Sequence, residues 1–234
     1  MQSTTIKISV ITVCFNAVNT IENTILSVIN QDYPNIEYII IDGGSIDGTI
    51  NIIKKYSNLL SYWVTEPDKG IYDAMNKGIS RASGDFIIFI NSEDILKRIP
   101  IVKLREVLNQ DYAGLCGAIE CENKKIIYPV YNWKMKLYNH LPHQGLFYNR
   151  KYLTQYDLKW KIVSDYDYNL RLYLNHKKIA MTQDVISYHV GTLSATKESA
   201  QESRNVVRQN CGIVWLLLSY ISRKLNGLKG KLSQ

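Results

Sequence analysis

The chain has 234 residues, a formal net charge of +7 and a 46% share of hydrophobic residues, which is enough for one large core. The positive charge favours acidic partners such as nucleotides, phospholipid headgroups or nucleic acid, without choosing among them. The four cysteines have neither the spacing of a metal finger nor the density of a disulfide framework, and no signal peptide precedes residue 6, so we expect a single-domain cytoplasmic protein.

The first half of the chain alternates between predicted strands and helices. Short apolar runs rich in β-branched residues predict buried strands at residues 8–14, 38–42, 61–64 and 86–90. Asn19, followed three residues later by Glu22, resembles a capping box for a first helix, and Asp47 is suited to cap a second. A third helix is expected over residues 71–80. This alternation predicts an α/β fold with a mostly parallel, doubly wound sheet that carries helices on both faces.

Polar residues follow these strands at the points where the strands end. Ligands of open α/β sheets bind outside the carboxyl ends of the strands, so we expect the polar side chains to converge on one crevice. They are Asn16, Asp42, Glu66, Asp68 and the adjacent pair Glu93 and Asp94. Two neighbouring carboxylates at the end of a buried strand also require a positive charge nearby.

The loop after the first strand, CFNAVNT, narrows the choice of ligand. It lacks the G-x-G-x-x-G fingerprint of dehydrogenases, and no Walker A motif occurs in the chain. Carboxylates repel a pyrophosphate, but they bind one through a divalent cation, and they accept hydrogen bonds from ribose hydroxyls and a base. The pattern therefore predicts a nucleotide site that needs a metal ion.

A family resemblance is carried by two segments, SVITVCFNAVNTIENTILSVINQDYPNIEYIIIDGGSIDGT and EPDKGIYDAMNKGISRASGDFIIFINSEDIL. Both closely resemble glycosyltransferase family 2, the inverting nucleotide-sugar transferases with the Rossmann-like GT-A fold. The resemblance is specific over residues 6–96, weaker to about residue 194 and absent from the tail.

The resemblance divides the chain into parts. It implies a GT-A domain over residues 1–212, with a nucleotide-binding half at 1–96 and an acceptor-binding half at 97–212, followed by a tail at 213–234. Nine of the 17 tyrosines lie between residues 128 and 173. Because aromatic faces suit sugar rings, this distribution favours acceptor binding by the second half.

The resemblance also implies donor-binding residues. In this family the loop after the first strand and the Asp that ends the second strand hold the nucleoside, and the loop after the third strand supplies one more acidic contact. The segment PHQGLFY matches a recurrent family segment near the donor sugar. The expected donor contacts are therefore Thr12, Asn16, Asp42, either Asp68 or Asp73, His143 and Gln144.

The family's D-x-D motif, which binds a metal that bridges the diphosphate, maps onto the triplet from Asn91 to Glu93, with Asp94 following. Asn91 stands where the first Asp is usual and is expected at the donor. Either Glu93 or Asp94 is the expected ligand of Mn²⁺ or Mg²⁺, and His189 is a further candidate. The alternatives are a helix cap for the two carboxylates and a structural role for His189.

The segment SDYDYNLRL, residues 164–172, resembles the family's E-D motif, whose Asp is the catalytic base. Asp165 matches that Asp, with Ser164 where Glu is usual. A base is needed because the acceptor hydroxyl loses its proton as it attacks the anomeric carbon. Asp167 lies on a different face of the predicted helix and is expected to be solvated.

These features predict a metal-dependent inverting glycosyltransferase that moves a hexose or N-acetylhexosamine from a nucleotide sugar, with UDP favoured, to a saccharide. By analogy with similar short family members, the acceptor is a lipid-linked saccharide of a bacterial surface polysaccharide. The alternatives are a sugar-phosphate nucleotidyltransferase, which would normally have a Gly-rich basic loop, and an inactive glycan-binding domain, suggested by Asn91, Glu93 and Ser164. No nucleic-acid partner is expected.

The tail combines an apolar run with basic residues. The run at 213–221, IVWLLLSYI, is shorter than the roughly 20 apolar residues of a membrane span. Arg223, Lys224, Lys229 and Lys231 follow it. The tail is therefore expected either to lie in an anionic membrane surface, placing the enzyme at its cytoplasmic face, or to pack on the domain as a final helix.

Overall fold

The structure, a computed structural model, describes residues 5–190 and 196–232, with side chains as far as Lys224. The first half contains β1 (Ile8–Cys14), α1 (Ile21–Ile29), β2 (Ile36–Asp42), α2 (Thr49–Lys55), β3 (Tyr62–Thr65), α3 (Ile71–Arg81) and β4 (Phe86–Phe89). The second half contains β5 (Ile95–Leu96), α4 (Ile101–Asn109), β6 (Gly114–Cys121), β7 (Ile126–Ile127), β8 (Leu146–Asn149), α5 (Ser164–Leu174), β9 (Ile179–His189), α6 (Lys197–Cys211) and α7 (Ile213–Leu232).

The strands form one sheet in the order β3-β2-β1-β4-β8-β6-β9-β5, and β7 pairs with β6. The first four strands along the chain are parallel to one another, as predicted. β8 runs antiparallel to both β4 and β6, and β9 is again parallel to β6. The predicted α/β sheet is thus confirmed, and the antiparallel strands enter it from the half in which the sequence indicated no strand.

The alternation of side chains along the central strands builds two apolar cores, one on each face of the sheet. Ile11 and Val13 of β1 belong to one core, whereas Val10 belongs to the other. Each fully buried Ile or Val contributes about 1.5–3 kcal/mol. α3 packs closely beneath β1, because a Cβ on Gly78 would lie only 2.5 Å from Cγ2 of Ile11.

The register of the parallel strands fixes where the polar loops meet. Cys14 pairs with Asp42, which in turn pairs with Thr65, so β1, β2 and β3 end at the same level. Ile11 pairs with Phe89, so the loop after β4 emerges beside the loop after β1. The carboxyl ends therefore form one edge, as the topology predicted.

Two predicted helix caps differ from those in the structure. The cap of α1 is Thr20 and not Asn19, and Glu22 instead bonds Lys55 and Tyr56. The capping-box prediction is therefore wrong, because a contact with α2 takes the carboxylate. Asp47 lies one residue before the cap of α2 but still accepts from the Thr49 backbone N–H at 3.0 Å.

α7 packs one face on the domain and exposes the other. Ser219 is fully buried and donates to the carbonyl of Leu137 at 2.6 Å, and the Lys136 ammonium lies 4.7 Å from the centre of the Trp215 ring. The opposite face exposes apolar side chains, among them Leu217 and Ile221. No helix within residues 5–190 and 196–232 is long and apolar enough to cross a membrane. The predicted packing of the tail is observed, while Lys229 and Lys231 lie beyond the described side chains.

Candidate active site

A cavity of about 390 Å³ opens where the carboxyl ends of β1 and β4 meet. Five residues of its wall were predicted as ligand contacts: Asp68, Asn91, Glu93, Asp94 and His189. They come from two separate loops, after β3 and after β4, and from the end of β9. The parallel register therefore brings distant polar residues to one place, as expected for the ligand edge of such a sheet.

Asp94 is the most buried carboxylate of this wall, with 1% of its surface exposed. Its Oδ1 lies 2.7 Å from Nδ1 of His189, and its Oδ2 accepts from the Asn91 backbone N–H at 3.3 Å. The hydrogen bond to Asp94 raises the pKa of His189, against the effect of burial. His189 thus contacts Asp94 of the predicted metal-binding pair. This contact is compatible with either role suggested by the sequence, a further metal ligand or a structural residue.

The residues around Asp94 fit a divalent cation whose coordination is completed by a bound substrate. Oδ1 of Asn91 is buried and has no hydrogen-bond partner, and Glu93 offers an exposed carboxylate in the same wall. Among the described residues, no group of three His, Cys, Asp or Glu side chains is arranged to hold a metal alone. Mg²⁺ is commonly held by one or two carboxylates together with substrate phosphates, and Asn91, Glu93 and Asp94 match that donor set.

Asp165 lies in the first turn of α5 and faces a second cavity of about 570 Å³. Its Oδ1 accepts from the Tyr72 hydroxyl at 2.7 Å, and its Oδ2 accepts from Nδ2 of Asn139 at 3.1 Å. Burial raises the pKa of Asp165, but hydrogen bonding and the nearby charge of His143, together with Tyr72, outweigh it and hold the pKa below its ordinary value. The carboxylate is therefore ionised at neutral pH and suited to accept a proton.

His143 and Gln144 connect the two cavities. Nε2 of His143 lies 3.0 Å from Nδ2 of Asn91, and its Nδ1 lies 3.8 Å from Oδ2 of Asp165. Nε2 of Gln144 lies 3.3 Å from Nδ1 of His189. The PHQ segment thus lies between the predicted metal-binding loop and the predicted base.

Asp167 is not solvated, which corrects the expectation from the sequence. It is 1% exposed, and its Oδ2 accepts from Nε of Arg171 at 2.9 Å. Its Oδ1 accepts from Nδ2 of Asn210 at 2.8 Å. Asp167 therefore joins α5 to α6, while Asp165 faces the cavity.

Asp42 is fully buried at the end of β2, where it organises the following loop. Its Oδ2 accepts from the backbone N–H groups of Gly44 and Ser45 at 3.1 and 2.9 Å and from the Thr65 hydroxyl at 2.6 Å. Burial raises its pKa, but the hydrogen bonds from Ser45 and Thr65 outweigh that effect and lower it. Nucleoside recognition by Asp42 stays a prediction.

We expect Asp42→Asn to weaken nucleotide binding about tenfold, because an anionic hydrogen-bond acceptor is lost. The same change should lower the free energy of unfolding by about 1–3 kcal/mol, since several donors share this carboxylate. Calorimetric titration with UDP, GDP and TDP measures the first effect and thermal melting the second. Asp47→Asn, in the same loop, is the control, and unchanged nucleotide affinities in Asp42→Asn would remove Asp42 from the site.

Thr12 and Asn16, the two nucleoside contacts predicted in the first strand and its loop, lie in different surroundings. Thr12 is fully buried, its hydroxyl lies 3.1 Å from that of Tyr38, and it is not part of the cavity wall, so its contact with a nucleoside stays a prediction. Its neighbour Val13 lines the cavity instead, because alternate residues of a strand face opposite sides. Asn16 adopts a left-handed φ of 50°, and its Oδ1 accepts from the Ile46 backbone N–H at 3.0 Å.

The structure separates the two candidates for the further acidic contact. Asp68 lies in the cavity wall, whereas Asp73 is outside it and accepts from the Lys69 backbone N–H at 3.0 Å. Gly43 permits the position of Asp68, because a Cβ there would lie 2.4 Å from its Oδ2. Asp68 is therefore the candidate that the cavity favours.

Several residues of the two cavities were missed by the sequence reasoning. Phe15 and Ile71 form an apolar part of the first cavity, and Phe15 is 63% exposed. Tyr72 and Asn139 hold Asp165. The exposed aromatic Phe15 next to the nominated Asn16 was a usable signal, but no spacing pattern links Tyr72 or Asn139 to Asp165.

The fold and the two cavities have the arrangement expected of the GT-A fold, and comparison with known proteins agrees. The model of the family described as "Glycosyl transferase family 2" matches residues 9–175. The chain belongs to this family. Three other proteins illustrate its similarities.

The first is a relative, the "Putative teichuronic acid biosynthesis glycosyltransferase TuaG" of Bacillus subtilis. It is 36% identical over 104 residues, which cover 43% of this chain and 41% of TuaG. Matches to curated relatives span between about a third, 34%, and 72% of the length of those proteins.

The other two are solved structures that share the fold. S. aureus TarS 1–349 in complex with UDP-GlcNAc has a TM-score of 0.69 at 18% identity, covering 86% of this chain and 65% of that one. Mannosyltransferase PcManGT from Pyrobaculum calidifontis, in complex with GDP-Man and Mn²⁺, has a TM-score of 0.61 at 14% identity, covering 96% and 65%.

Proposed function

We propose that this glycosyltransferase transfers a hexose or N-acetylhexosamine from a UDP-sugar to a saccharide acceptor with inversion at the anomeric carbon. The observation that carries the proposal is the link through His143 between Asn91 in the first cavity and Asp165 in the second. A donor in the first cavity would thus have its reacting sugar beside a carboxylate that faces the second. The UDP-GlcNAc complex of TarS supports the choice of donor.

The side chains suggest how the work is divided. Asn91, Glu93 and Asp94 would hold Mn²⁺ or Mg²⁺, which neutralises charge on the departing diphosphate. Asp68 and the exposed ring of Phe15 line the part of the cavity next to β1 and β3, which suits a ribose and a base. The Mn²⁺ complex of PcManGT supports the use of a metal.

Asp165 would remove the proton of the attacking hydroxyl. Tyr72 and Asn139 each donate to one of its oxygens, so the carboxylate keeps a fixed orientation toward the cavity. A positioned base contributes roughly 10²- to 10⁴-fold in rate. Direct displacement with this single base inverts the sugar and requires no second carboxylate as nucleophile.

The donor is identified by incubating the full chain with Mn²⁺ or Mg²⁺ and a panel of UDP-, GDP- and TDP-sugars, then measuring release of the nucleoside diphosphate. Slow hydrolysis of one donor without any acceptor is the expected result. A nucleotidyltransferase would instead release pyrophosphate from a nucleoside triphosphate and a sugar phosphate. An inactive glycan-binding domain would hydrolyse none of the donors, which would contradict the proposal.

We assign the acceptor to the lipid-linked saccharides of bacterial surface polysaccharides, at the cytoplasmic face of the membrane. The printed name of TuaG, which refers to teichuronic acid biosynthesis, supports this class. The exposed apolar face of α7 supports contact with a membrane surface, because Leu217 and Ile221 lie on it one turn apart and are 59% and 52% exposed. Lys224 adds positive charge beside it.

We expect the full chain to float with liposomes that contain anionic lipid. The double change Leu217→Ser and Ile221→Ser should reduce binding about tenfold or more, because two apolar side chains no longer enter the bilayer. Val102→Ser, which alters a residue that is 65% exposed on α4, is the matched control. Equal flotation of the double variant and the unchanged chain would contradict membrane contact through α7.

A further inference from the structure

The second cavity has a cationic side as well as the candidate base. The 138–144 segment, the start of α5, and helices α6 and α7 enclose it. Asp165 lies in one part of its wall, and Arg223 of α7 lies in another. A molecule that fills this space therefore meets both a carboxylate and a guanidinium group.

Arg223 has no acidic partner among the described side chains. Its guanidinium lies 5.5 Å from the centre of the Tyr138 ring, and its Nε is buried without a hydrogen-bond acceptor. Within residues 5–190 and 196–224, where side chains are described, no carboxylate lies within 4.0 Å of it. A guanidinium N–H that is shielded from water and has no acceptor is costly, so the arrangement favours an anion from outside the chain.

The surroundings of Arg223 strengthen this preference. Burial and the positive charge of Arg204 both lower its pKa, so an anion bound here would relieve an unfavourable field. Ser203 of α6 also places a hydroxyl in the cavity wall, whereas the hydroxyl of Ser199, one turn earlier, already donates to the Thr196 carbonyl at 3.0 Å. Asp165 is the one acidic residue of the described wall, and Tyr72 and Asn139 already bond its oxygens.

We propose that Arg223 binds a phosphate group of the acceptor, while the hydroxyl that receives the sugar lies at Asp165. This inference rests on the proposed function and specifies its acceptor as a phosphate ester. A guanidinium pairs with phosphate through two parallel hydrogen bonds, which suits an arginine whose Nε is shielded from water and unpaired. α7 carries Arg223 on its packed side and the apolar residues Leu217 and Ile221 on its exposed side, a division that favours a phosphate attached to a lipid.

The test is calorimetric titration of the full chain with geranyl phosphate, inorganic phosphate and geraniol, in EDTA and without nucleotide. Geranyl phosphate should bind, and Arg223→Ala should weaken it about tenfold to a hundredfold, as expected for a lost charged hydrogen-bond pair. Arg223→Lys should retain part of the affinity because it keeps the charge. Arg105→Ala, which removes an exposed arginine of α4 outside this cavity, is the control and should bind normally.

The source of the phosphate follows from the other two ligands. If geranyl phosphate binds in a way that depends on Arg223 and inorganic phosphate does not bind, the result supports a lipid phosphate. If the affinities of both ligands depend equally on Arg223, the result supports a phosphate site that does not require lipid. Affinities that are unchanged in both Arg223 variants, with melting curves like that of the unchanged chain, would overturn the inference. The titration contains no donor, so its outcome does not depend on the donor hydrolysis proposed above. Absence of that hydrolysis would be a separate result.

Discussion

Replacing Asp165 with Asn is expected to abolish sugar transfer and leave nucleotide and metal binding unchanged. The amide cannot accept the proton of the attacking hydroxyl, so kcat should fall roughly 10²- to 10⁴-fold. Tyr72 can still donate to the amide oxygen of the variant, although Asn139 loses its acceptor, so the local fold should persist. Transfer kinetics and UDP titration measure the two effects.

The pH dependence of transfer provides a second measurement on the same residue. The pKa of Asp165 lies below its ordinary value, so its carboxylate is ionised at and above pH 5 and becomes protonated only in more acidic solution. We therefore expect no loss of rate from this base between pH 5 and pH 8. A base that requires deprotonation near pH 7 would contradict Asp165.

Asp167→Asn is the matched control, because it alters the other carboxylate of the same helix turn. Asp167 bonds Arg171 and Asn210, so its change should lower the free energy of unfolding by about 1–3 kcal/mol. Transfer by the folded variant should continue. An inactive Asp167→Asn variant with normal stability, alongside an active Asp165→Asn variant, would show that the base has been assigned to the wrong residue.

Replacing Asp94 with Ala is expected to remove activity, by about a hundredfold or more, as for loss of a group that stabilises developing charge. Asp94 is the buried carboxylate of the first cavity and contacts His189, so the change removes the proposed metal ligand and the partner of a histidine. EDTA should likewise stop turnover by the unchanged chain. Donor hydrolysis against Mn²⁺ concentration measures both effects.

Glu93 supplies the controls for this prediction. Glu93→Ala should also remove activity, whereas Glu93→Asp should be tolerated, since a carboxylate remains in the exposed part of the wall and the residue typical of the family is restored. Full activity of all these variants, or full turnover in EDTA, would reduce the two carboxylates to structural groups at the end of β4.

The part of the fold that the sequence predicted depends on local pattern. Apolar runs rich in β-branched residues identify β1 to β4, because such runs have few alternatives to a buried strand. Parallel topology then places Asn91, Asp94 and Asp68 at one edge without any contact being known. Val13, and not the predicted Thr12, lines the first cavity although the strand was correct, since a shift of one residue turns a side chain to the opposite face.

What the sequence did not predict depends on contacts between distant segments. β5 and β7 have two residues each and exist through pairing with β9 and β6, so they leave no periodic pattern. Asp165 is held by Tyr72, 93 positions away in the chain. Asp167 was expected in water, but α6 covers it through Asn210. Such contacts are set by the packing of helices on the sheet.

The most direct test of a metal-assisted nucleotide site is the affinity of UDP for the full chain with and without Mn²⁺, measured by calorimetry on the unchanged protein and on Asp94→Ala. We predict that Mn²⁺ tightens UDP binding to the unchanged chain and has no such effect on Asp94→Ala, because the cation joins the diphosphate to this carboxylate. UDP binding that is equally tight with and without Mn²⁺, or equally enhanced in Asp94→Ala, would contradict it.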